Sequence, residues 1–261
     1  MISSNYPIGF FDSGVGGTSI WKELNLLLPN ESTIYLADSL HAPYGNKSKD
    51  DIIALSKKNT ELLLEKGCKL IVVACNTATT NAIEYLRNHY DVPFIGIEPA
   101  IKPAALNTKT KAVGILATKG TLSSQLFHDT SDLYANGIKI IEQVGEGIVP
   151  LVEQGQIDSE AMHALLEVYL KPMLAADIDY LVLGCTHYPY LIPQLINLLP
   201  NHVKIIDSGE AVAKQTKSIL SKHRLLNESG MKVKLEFYTN GNPEIMSQLL
   251  GKHFKVEYLN F

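Results

Sequence analysis

The chain has 261 residues, 46% of them hydrophobic, and its 23 lysines and arginines against 27 acidic residues leave a net charge of −4. This length is enough for two modest α/β domains or one large one, and the charge gives no reason to expect a nucleic-acid or membrane partner. No apolar run approaches the ~20 residues of a transmembrane helix. The odd number of cysteines, three, with no basic-then-apolar export signal ahead of them, predicts reduced thiols in the cytoplasm.

Strands and helices alternate from the start of the chain. A short β-rich run leads into the polar pair Asp12-Ser13 and the glycine-rich segment 14–17, after which apolar residues recur at helical spacing. Further on, Ser48 and Asp51 fit a capping box at the start of a long helix. The strands predicted in this half cover 7–11, 33–37, 70–74 and 93–97.

The pattern restarts near residue 112. The run from Gly114 to Thr118 with Gly120-Thr121 echoes the one from Gly9 to Ser13 with Gly17-Thr18, and a second apolar run ending in cysteine echoes the first. Alternating elements predict an α/β fold with mainly parallel sheets flanked by helices, and the echo predicts two pseudo-symmetric halves with the active site in the crevice between them. The later strands are predicted at 112–117, 138–144, 180–184, 203–206, 234–238 and 256–259.

Two cysteines stand in matched settings. Cys75 and Cys185 each end an apolar strand, and each is followed by threonine within two residues, whose hydroxyl and N–H can hold an anion. A helix starting there would lower the thiol pKa and favour the thiolate. Two thiols facing each other across a pocket can remove a proton from carbon and return one to the opposite face, which inverts a stereocentre. Cys68 lacks this context and is interpreted as structural.

Other chemistries fit parts of the pattern. His187 near Cys185 could act as the base of a cysteine hydrolase, although the other cysteine then has no role. Segment 14–17 with Asp38 about 20 residues on is reminiscent of a dinucleotide-binding loop, but Ser19 stands where the third glycine belongs. A metal site lacks further ligands at the usual spacing.

The motifs resemble those of the cofactor-independent glutamate racemases, in the aspartate/glutamate racemase superfamily, from about residue 8 to about residue 254. The resemblance implies two α/β domains with the active site between them, one formed by residues 1–97 plus 207–261 and the other by residues 98–206. The matching stretches are Gly9 to Gly17, Asp38 with Pro43-Tyr44-Gly45, Ala74 to Ala78, Gly96 to Pro99, Thr118 to Thr121, Pro150 to Glu153, Leu183 to Pro189, Ile206 to Ala211, and Phe237-Tyr238 with Gly241 to Glu244.

The resemblance also implies roles for individual residues. Cys75 would act on the α-proton of D-glutamate and Cys185 on that of L-glutamate. Asp12 would assist Cys75, whereas His187 and Glu153 would assist the second thiol. The implied substrate contacts are Asp12, Ser13, Asp38 (as a support or an ammonium contact), Pro43, Tyr44, Gly45, Asn76, Thr77, Thr118, Thr121, Thr186 and His187.

The expected activity is the interconversion of L- and D-glutamate without a cofactor or metal, by a homodimer that supplies D-glutamate for peptidoglycan synthesis. His187 in the second cysteine motif is typical of the glutamate type, because related aspartate racemases tend to have Glu there. One departure is Gly145-Glu146-Gly147, where many relatives have Ala-Cys-Pro, and it leaves the start of the Glu153 helix open.

Overall fold

The structure is a computed structural model that describes residues 3–230 and 232–261. None of the helices in these residues is long and apolar enough to cross a lipid bilayer. The strands are β1 (Ile8–Asp12), β2 (Thr33–Ala37), β3 (Leu70–Val73), β4 (Phe94–Gly96), β5 (Ala112–Ala117), β6 (Lys139–Val144), β7 (Tyr180–Gly184), β8 (Lys204–Ile206), β9 (Leu235–Thr239) and β10 (Val256–Tyr258). The helices are α1 (Thr18–Leu27), α2 (Lys49–Glu65), α3 (Asn76–His89), α4 (Ile101–Asn107), α5 (Lys119–Leu122), α6 (Gln125–Tyr134), α7 (Ile148–Glu153), α8 (Glu160–Ala175), α9 (Ile192–Leu198), α10 (Gly209–Lys222) and α11 (Pro243–Leu250).

The strands form two separate parallel sheets. Their orders are β10-β9-β2-β1-β3-β4 and β6-β5-β7-β8, and every neighbouring pair is parallel. The order β2-β1-β3-β4 is therefore repeated by the second sheet, with β5 in the place of β1 and β7 in that of β3. This confirms the predicted α/β architecture and the echo between the two halves.

The tail of the chain returns to the first sheet, where β9 pairs with β2 and β10 pairs with β9. The first sheet thus takes its strands from residues 8–96 and 235–258, whereas the second takes its strands from residues 112–206. The domain boundaries at 97/98 and 206/207 stay predictions.

The central strands are buried along their whole length. β1, β2, β3 and β5 have no exposed residue, because helices cover both faces of a parallel sheet. Ligands of such folds bind beyond the carboxyl ends of the strands. At that edge, β1 is followed by Ser13 and the glycine-rich segment 14–17. Residues 75–77 lie beyond the end of β3, and residues 185–187 follow β7.

Of two helix starts predicted from the sequence, one is observed and the other differs. Ser48 caps α2 as predicted, with its hydroxyl accepting the Asp51 N–H at 3.1 Å. The helix predicted directly after Cys185 is instead a 3-10 turn (Tyr188–Leu191) followed by α9. Pro189 and Pro193 each stand in the first turn of these two elements, where the missing N–H costs no helical hydrogen bond, so each proline favours a separate start.

A buried ion pair ties together the amino ends of the first sheet. Lys69 precedes β3 and Glu31 precedes β2; both side chains are almost fully buried, with Nζ 2.6 Å from Oε2. The Lys69 ammonium also donates to the Ser4 carbonyl, and the other Glu31 oxygen accepts the Asn227 N–H at 2.8 Å. The pair therefore fixes the strands that present Asp38 and Cys75 at their opposite ends.

Lys69→Met should destabilise the protein by about 3–5 kcal/mol, because it leaves the Glu31 carboxylate buried without its counter-ion. Urea unfolding followed by circular dichroism measures this change in the free energy of unfolding. The control is Lys214→Met, since Lys214 and Glu210 form a pair that is 66% and 74% exposed; its effect should stay below about 1 kcal/mol. Equal small effects of the two substitutions would contradict the prediction.

Candidate active site

Both matched cysteines line one cavity between the two sheets. Cys75 follows β3 and Cys185 follows β7, at the carboxyl edges of their sheets, and the space between them is about 10 Å³. Of the predicted site residues, Asp12, Asp38, Thr121 and Glu153 lie behind this lining. The lining residues are Ser13, Pro43, Tyr44, Gly45, Cys75, Asn76, Thr77, Thr118, Val149, Cys185, Thr186 and His187.

Cys75 is the N-cap of α3. Its sulfur accepts the Ala78 N–H at 3.4 Å, and its thiol lies 3.6 Å from the Ser13 hydroxyl, to which it donates. Burial raises the pKa of Cys75 well above its usual value and the neighbouring Asp12 raises it further. The Ala78 N–H at the helix start acts to lower this pKa, as expected, but burial outweighs it, so the expected net lowering does not occur.

Asp12 ends β1 and is completely buried. Oδ1 accepts the Ser13 N–H at 2.7 Å, and Oδ2 accepts the Gly17 N–H at 2.7 Å and the Thr186 hydroxyl at 3.4 Å. Burial raises the pKa of Asp12 to about 6, although His187 and the Gly17 N–H act to lower it. A carboxyl group with this pKa, beside Cys75, can exchange a proton near neutral pH.

The second thiol has an imidazole partner. His187 Nδ1 lies 3.7 Å from the Cys185 sulfur, and Nε2 lies 2.6 Å from Glu153 Oε1. Burial alone would lower the pKa of His187, but Cys185 and Glu153 together raise it well above 6.5. His187 thus bridges the Glu153 carboxylate and the Cys185 sulfur, and both neighbours favour its protonated form.

Polar groups surround the space between the thiols. The hydroxyls of Thr77 and Thr118 lie 2.8 Å apart and that of Thr121 is 3.0 Å from Thr118, so residues from both sheets meet there. Among the described residues, Asn76 has neither its amide nitrogen nor its oxygen paired, although it is only 2% exposed. Its amide is available to a bound molecule.

Asp38 lies behind the lining and its carboxylate is occupied. Oδ2 accepts the Tyr44 hydroxyl at 2.5 Å, and Oδ1 lies 2.6 Å from both Asn240 Nδ2 and His41 Nδ1. This geometry favours the support role over an ammonium contact. Asn240 escaped the sequence reasoning because it lies some 200 residues away, within an unremarkable turn motif. Val149 lines the cavity too and was missed, although it adjoins the matched stretch that ends at Glu153.

The glycines of segment 14–17 leave room for protein side chains. A Cβ on Gly14 would lie 1.9 Å from Glu153 Oε1, and one on Gly16 would lie 2.2 Å from His187 Nδ1. The space beside the loop that a pyrophosphate would use is thus filled by Glu153 and His187. Among residues 3–230 and 232–261, no group of three His, Cys, Asp or Glu side chains is placed to hold a metal ion.

A wider recess adjoins the cavity. It has a volume of about 300 Å³ and shares Pro43, Gly45, Thr118 and Val149 with the cavity lining. The recess also contacts the loop around Glu146, where Gly147 adopts a left-handed conformation (φ 80°) directly before α7. The double-glycine loop thus starts the helix without the proline that many relatives have there.

Comparison with known proteins gives a consistent result. A sequence model of the Asp/Glu/Hydantoin racemase family matches residues 18–216. A glutamate racemase of Herpetosiphon aurantiacus is 45% identical over 237 residues, which cover 91% of this chain and 93% of the relative. The crystal structure of Escherichia coli glutamate racemase with L-glutamate and the activator UDP-MurNAc-ala matches with a TM-score of 0.85 at 33% identity, over 97% of this chain and 98% of that one. The Francisella tularensis glutamate racemase with D-glutamate gives a TM-score of 0.85 at 28% identity, with 98% of both chains covered.

The charge on His187 should depend on Glu153. In NMR titrations, we expect the wild-type imidazole to lose its proton well above pH 6.5, and Glu153→Gln to move the midpoint down, because the amide carries no negative charge. Glu167→Gln is the control, since Glu167 is exposed and pairs with His163. An unchanged His187 midpoint in Glu153→Gln would mean that the carboxylate does not hold the proton there.

Proposed function

Because the chain belongs to the Asp/Glu/Hydantoin racemase family, and within it to the glutamate racemases, we propose that it interconverts L- and D-glutamate by a two-thiol acid/base mechanism. One observation carries this proposal: two cysteines, one from each of two matching sheets, line the same small cavity. Neither a hydrolase nor a dehydrogenase needs a second thiol opposite the first. An inversion at carbon needs an acid and a base on opposite faces.

The residues that assist the two thiols differ: Asp12 lies beside Cys75, whereas His187 and Glu153 lie beside Cys185. This difference assigns a reaction direction to each thiol. Cys75, with its raised pKa, is a protonated acid at neutral pH. The reaction from L-glutamate needs the complementary base, the thiolate of Cys185, whose sulfur lies 3.7 Å from His187 Nδ1. In this protonation state Cys185 takes the α-proton of L-glutamate, and Cys75 delivers its proton to the opposite face to give D-glutamate. The reverse reaction starts from the opposite state, in which Asp12, with a pKa of about 6, helps to remove the Cys75 proton.

The carbanion between the two proton transfers needs electrostatic stabilisation, because the α-hydrogen of an amino acid is very weakly acidic. Preorganised donors around the carboxylate and the retained ammonium provide it. The donors for the carbanion are the unpaired amide of Asn76 and the hydroxyls of Ser13, Thr77 and Thr186, of which those of Ser13 and Thr186 must turn away from Asp12 to donate. The backbone N–H groups of Tyr44 and Gly45 are contacts that the bound substrate and the transition state share. Arg87 and Arg224 are the chain's only arginines, so hydroxyls and N–H groups take the place of a guanidinium clamp.

Substrate entry requires the crevice to widen. A space of about 10 Å³ holds one water molecule at most, far less than an amino acid needs. The adjoining recess of about 300 Å³ lies on the path from solvent. The groups that would separate along this path include Thr77 and Thr118, whose hydroxyls lie 2.8 Å apart across the crevice.

The wider biological role follows from the product. D-Glutamate is a component of peptidoglycan, and the E. coli relative was crystallised with UDP-MurNAc-ala as its activator; both support a role in peptidoglycan synthesis for this chain. The cytoplasmic location, the homodimer and the absence of a cofactor stay predictions.

We expect the purified chain, with no added cofactor, to bring either L- or D-glutamate to the racemic mixture. Circular dichroism of the amino acid follows the loss of optical activity directly. Aspartate at the same concentration should react far more slowly, because His187 belongs to the glutamate type of motif. A hydrolase of the Cys185–His187 kind would instead leave glutamate unchanged and form a covalent acyl adduct, which mass spectrometry detects.

In D₂O, we expect the product enantiomer to carry deuterium at Cα from the first turnovers, while recovered substrate stays unlabelled, because different thiols remove and return the proton. NMR of the separated enantiomers measures both. Cys75→Ser and Cys185→Ser should each lower the racemisation rate by about 10²–10⁴-fold. Cys68→Ser should keep the rate, since this buried thiol packs under Gly9. Early label in recovered substrate would show that a single base exchanges its proton, and would overturn the two-thiol mechanism.

A further inference from the structure

The segment that forms one wall of the cavity is held by a residue from the tail of the chain. Tyr44 and Gly45 line the cavity, and Gly45 lies directly against Thr118, which follows β5 of the second sheet. The Tyr44 hydroxyl donates to Asp38 Oδ2 at 2.5 Å and accepts from Asn59 Nδ2 at 3.2 Å. Burial and the Asp38 carboxylate raise the pKa of Tyr44 well above its usual value, so the hydroxyl remains a donor.

Asn240 connects this wall to the strands behind it. Its side-chain oxygen accepts the Leu40 N–H at 2.9 Å, and its amide nitrogen donates to Asp38 Oδ1 at 2.6 Å and to the Phe261 carbonyl at 3.2 Å. Its own N–H donates to the Ala37 carbonyl at 3.3 Å. The side chain is only 3% exposed. A primary amide is the group that offers an acceptor and two donors at one point.

We propose that Asn240 is a positioning residue, which holds segment 38–45 in the geometry that offers the Tyr44 and Gly45 backbone groups to the substrate. The inference rests on the proposed function for its substrate, glutamate. Asn240 does not line the cavity, so its effect passes through Asp38 to Tyr44 and through Leu40 to the backbone. Because these backbone groups hold the substrate and the transition state alike, their displacement weakens binding of both.

Asn240→Asp tests this role with little change of shape. It keeps an oxygen for the Leu40 N–H, but it replaces a donor by a second carboxylate beside Asp38, and like charges at this distance repel. We expect KM to rise about tenfold for both enantiomers, as loss of a buried hydrogen bond to a charged group allows, with kcat changed much less. Hydrogen exchange at the backbone amides of segment 38–47 should also become faster.

Asn242→Ala is the matched control from the same turn. Asn242 is exposed and caps α11 by accepting the Glu244 N–H at 2.9 Å, so its loss should affect α11 and leave KM and the exchange of segment 38–47 unchanged. Tyr44→Phe removes only the hydroxyl at the other end of the connection. If both ends act through Asp38, the double variant with Asn240→Asp should raise KM by clearly less than the product of the two single effects.

An unchanged KM in folded Asn240→Asp, exchange no faster than in Asn242→Ala, or multiplicative effects in the double variant would each overturn the proposal. If Asn240→Asp does not fold, folded Tyr44→Phe decides by the same two measurements, since unchanged KM and exchange there would also overturn it. If the wild-type chain does not racemise glutamate, the proposed function is wrong, but the role of Asn240 is still tested. Hydrogen exchange reports whether Asn240 holds segment 38–47 without any need for activity.

Discussion

One carboxylate oxygen joins the two halves of the molecule at the reacting groups. Glu153 Oε1, at the end of α7, accepts the Val15 N–H at 2.7 Å from the loop after β1 and pairs with His187 Nε2 at 2.6 Å. The first contact spans the crevice, and the second, together with Cys185, raises the pKa of the His187 imidazole. The relative position of the two sheets is therefore coupled to the electrostatics of the second thiol. If the crevice widens between Val15 and Glu153, the carboxylate loses a donor and its negative charge is less shared, which strengthens its hold on the His187 proton.

This carboxylate also explains the glycines that look like a nucleotide-binding loop. Gly14 and Gly16 have no side chain because Glu153 and His187 occupy the volume that a Cβ would need. Glycine allows a close approach of backbone in either case, whether the neighbour is a phosphate or a protein side chain. The sequence alone cannot separate the two causes, since the residues that fill the space lie more than a hundred positions away.

The sequence predicted correctly those features that depend on residues close together in the chain. The strands at 33–37 and 112–117 coincide with β2 and β5, because their apolar runs are bounded by clear turn residues, and the Ser48 cap formed because its partner is three residues away. The pKa of Cys75 could not be predicted in the same way, because its sign depends on how far burial outweighs the helix start. The role of Asn240 depends on β9 pairing with β2, a contact between distant parts of the chain. The family resemblance supplied most of the other candidate site residues, because strand patterns alone predict only the edge of the sheet at which such residues lie.

The fold is repeated, but the acid/base groups are not, and thermodynamics limits what this asymmetry can do under the proposed function. Asp12 stands beside Cys75, whereas the Glu153–His187 pair stands beside Cys185. L- and D-glutamate are mirror images with equal free energies in water, so the equilibrium constant between them is unity. The ratio kcat/KM must then be equal in the two directions, whatever the helpers of each thiol. The different residues beside the two thiols can therefore change the kcat and KM of one enantiomer only by the same factor relative to those of the other. They do so when the protonation state that binds one enantiomer is more populated than the state that binds the other enantiomer. If the free enzyme carries its proton on Cys75, it binds L-glutamate better, and any gain in affinity for this enantiomer is matched by an equal reduction in its kcat relative to that of D-glutamate.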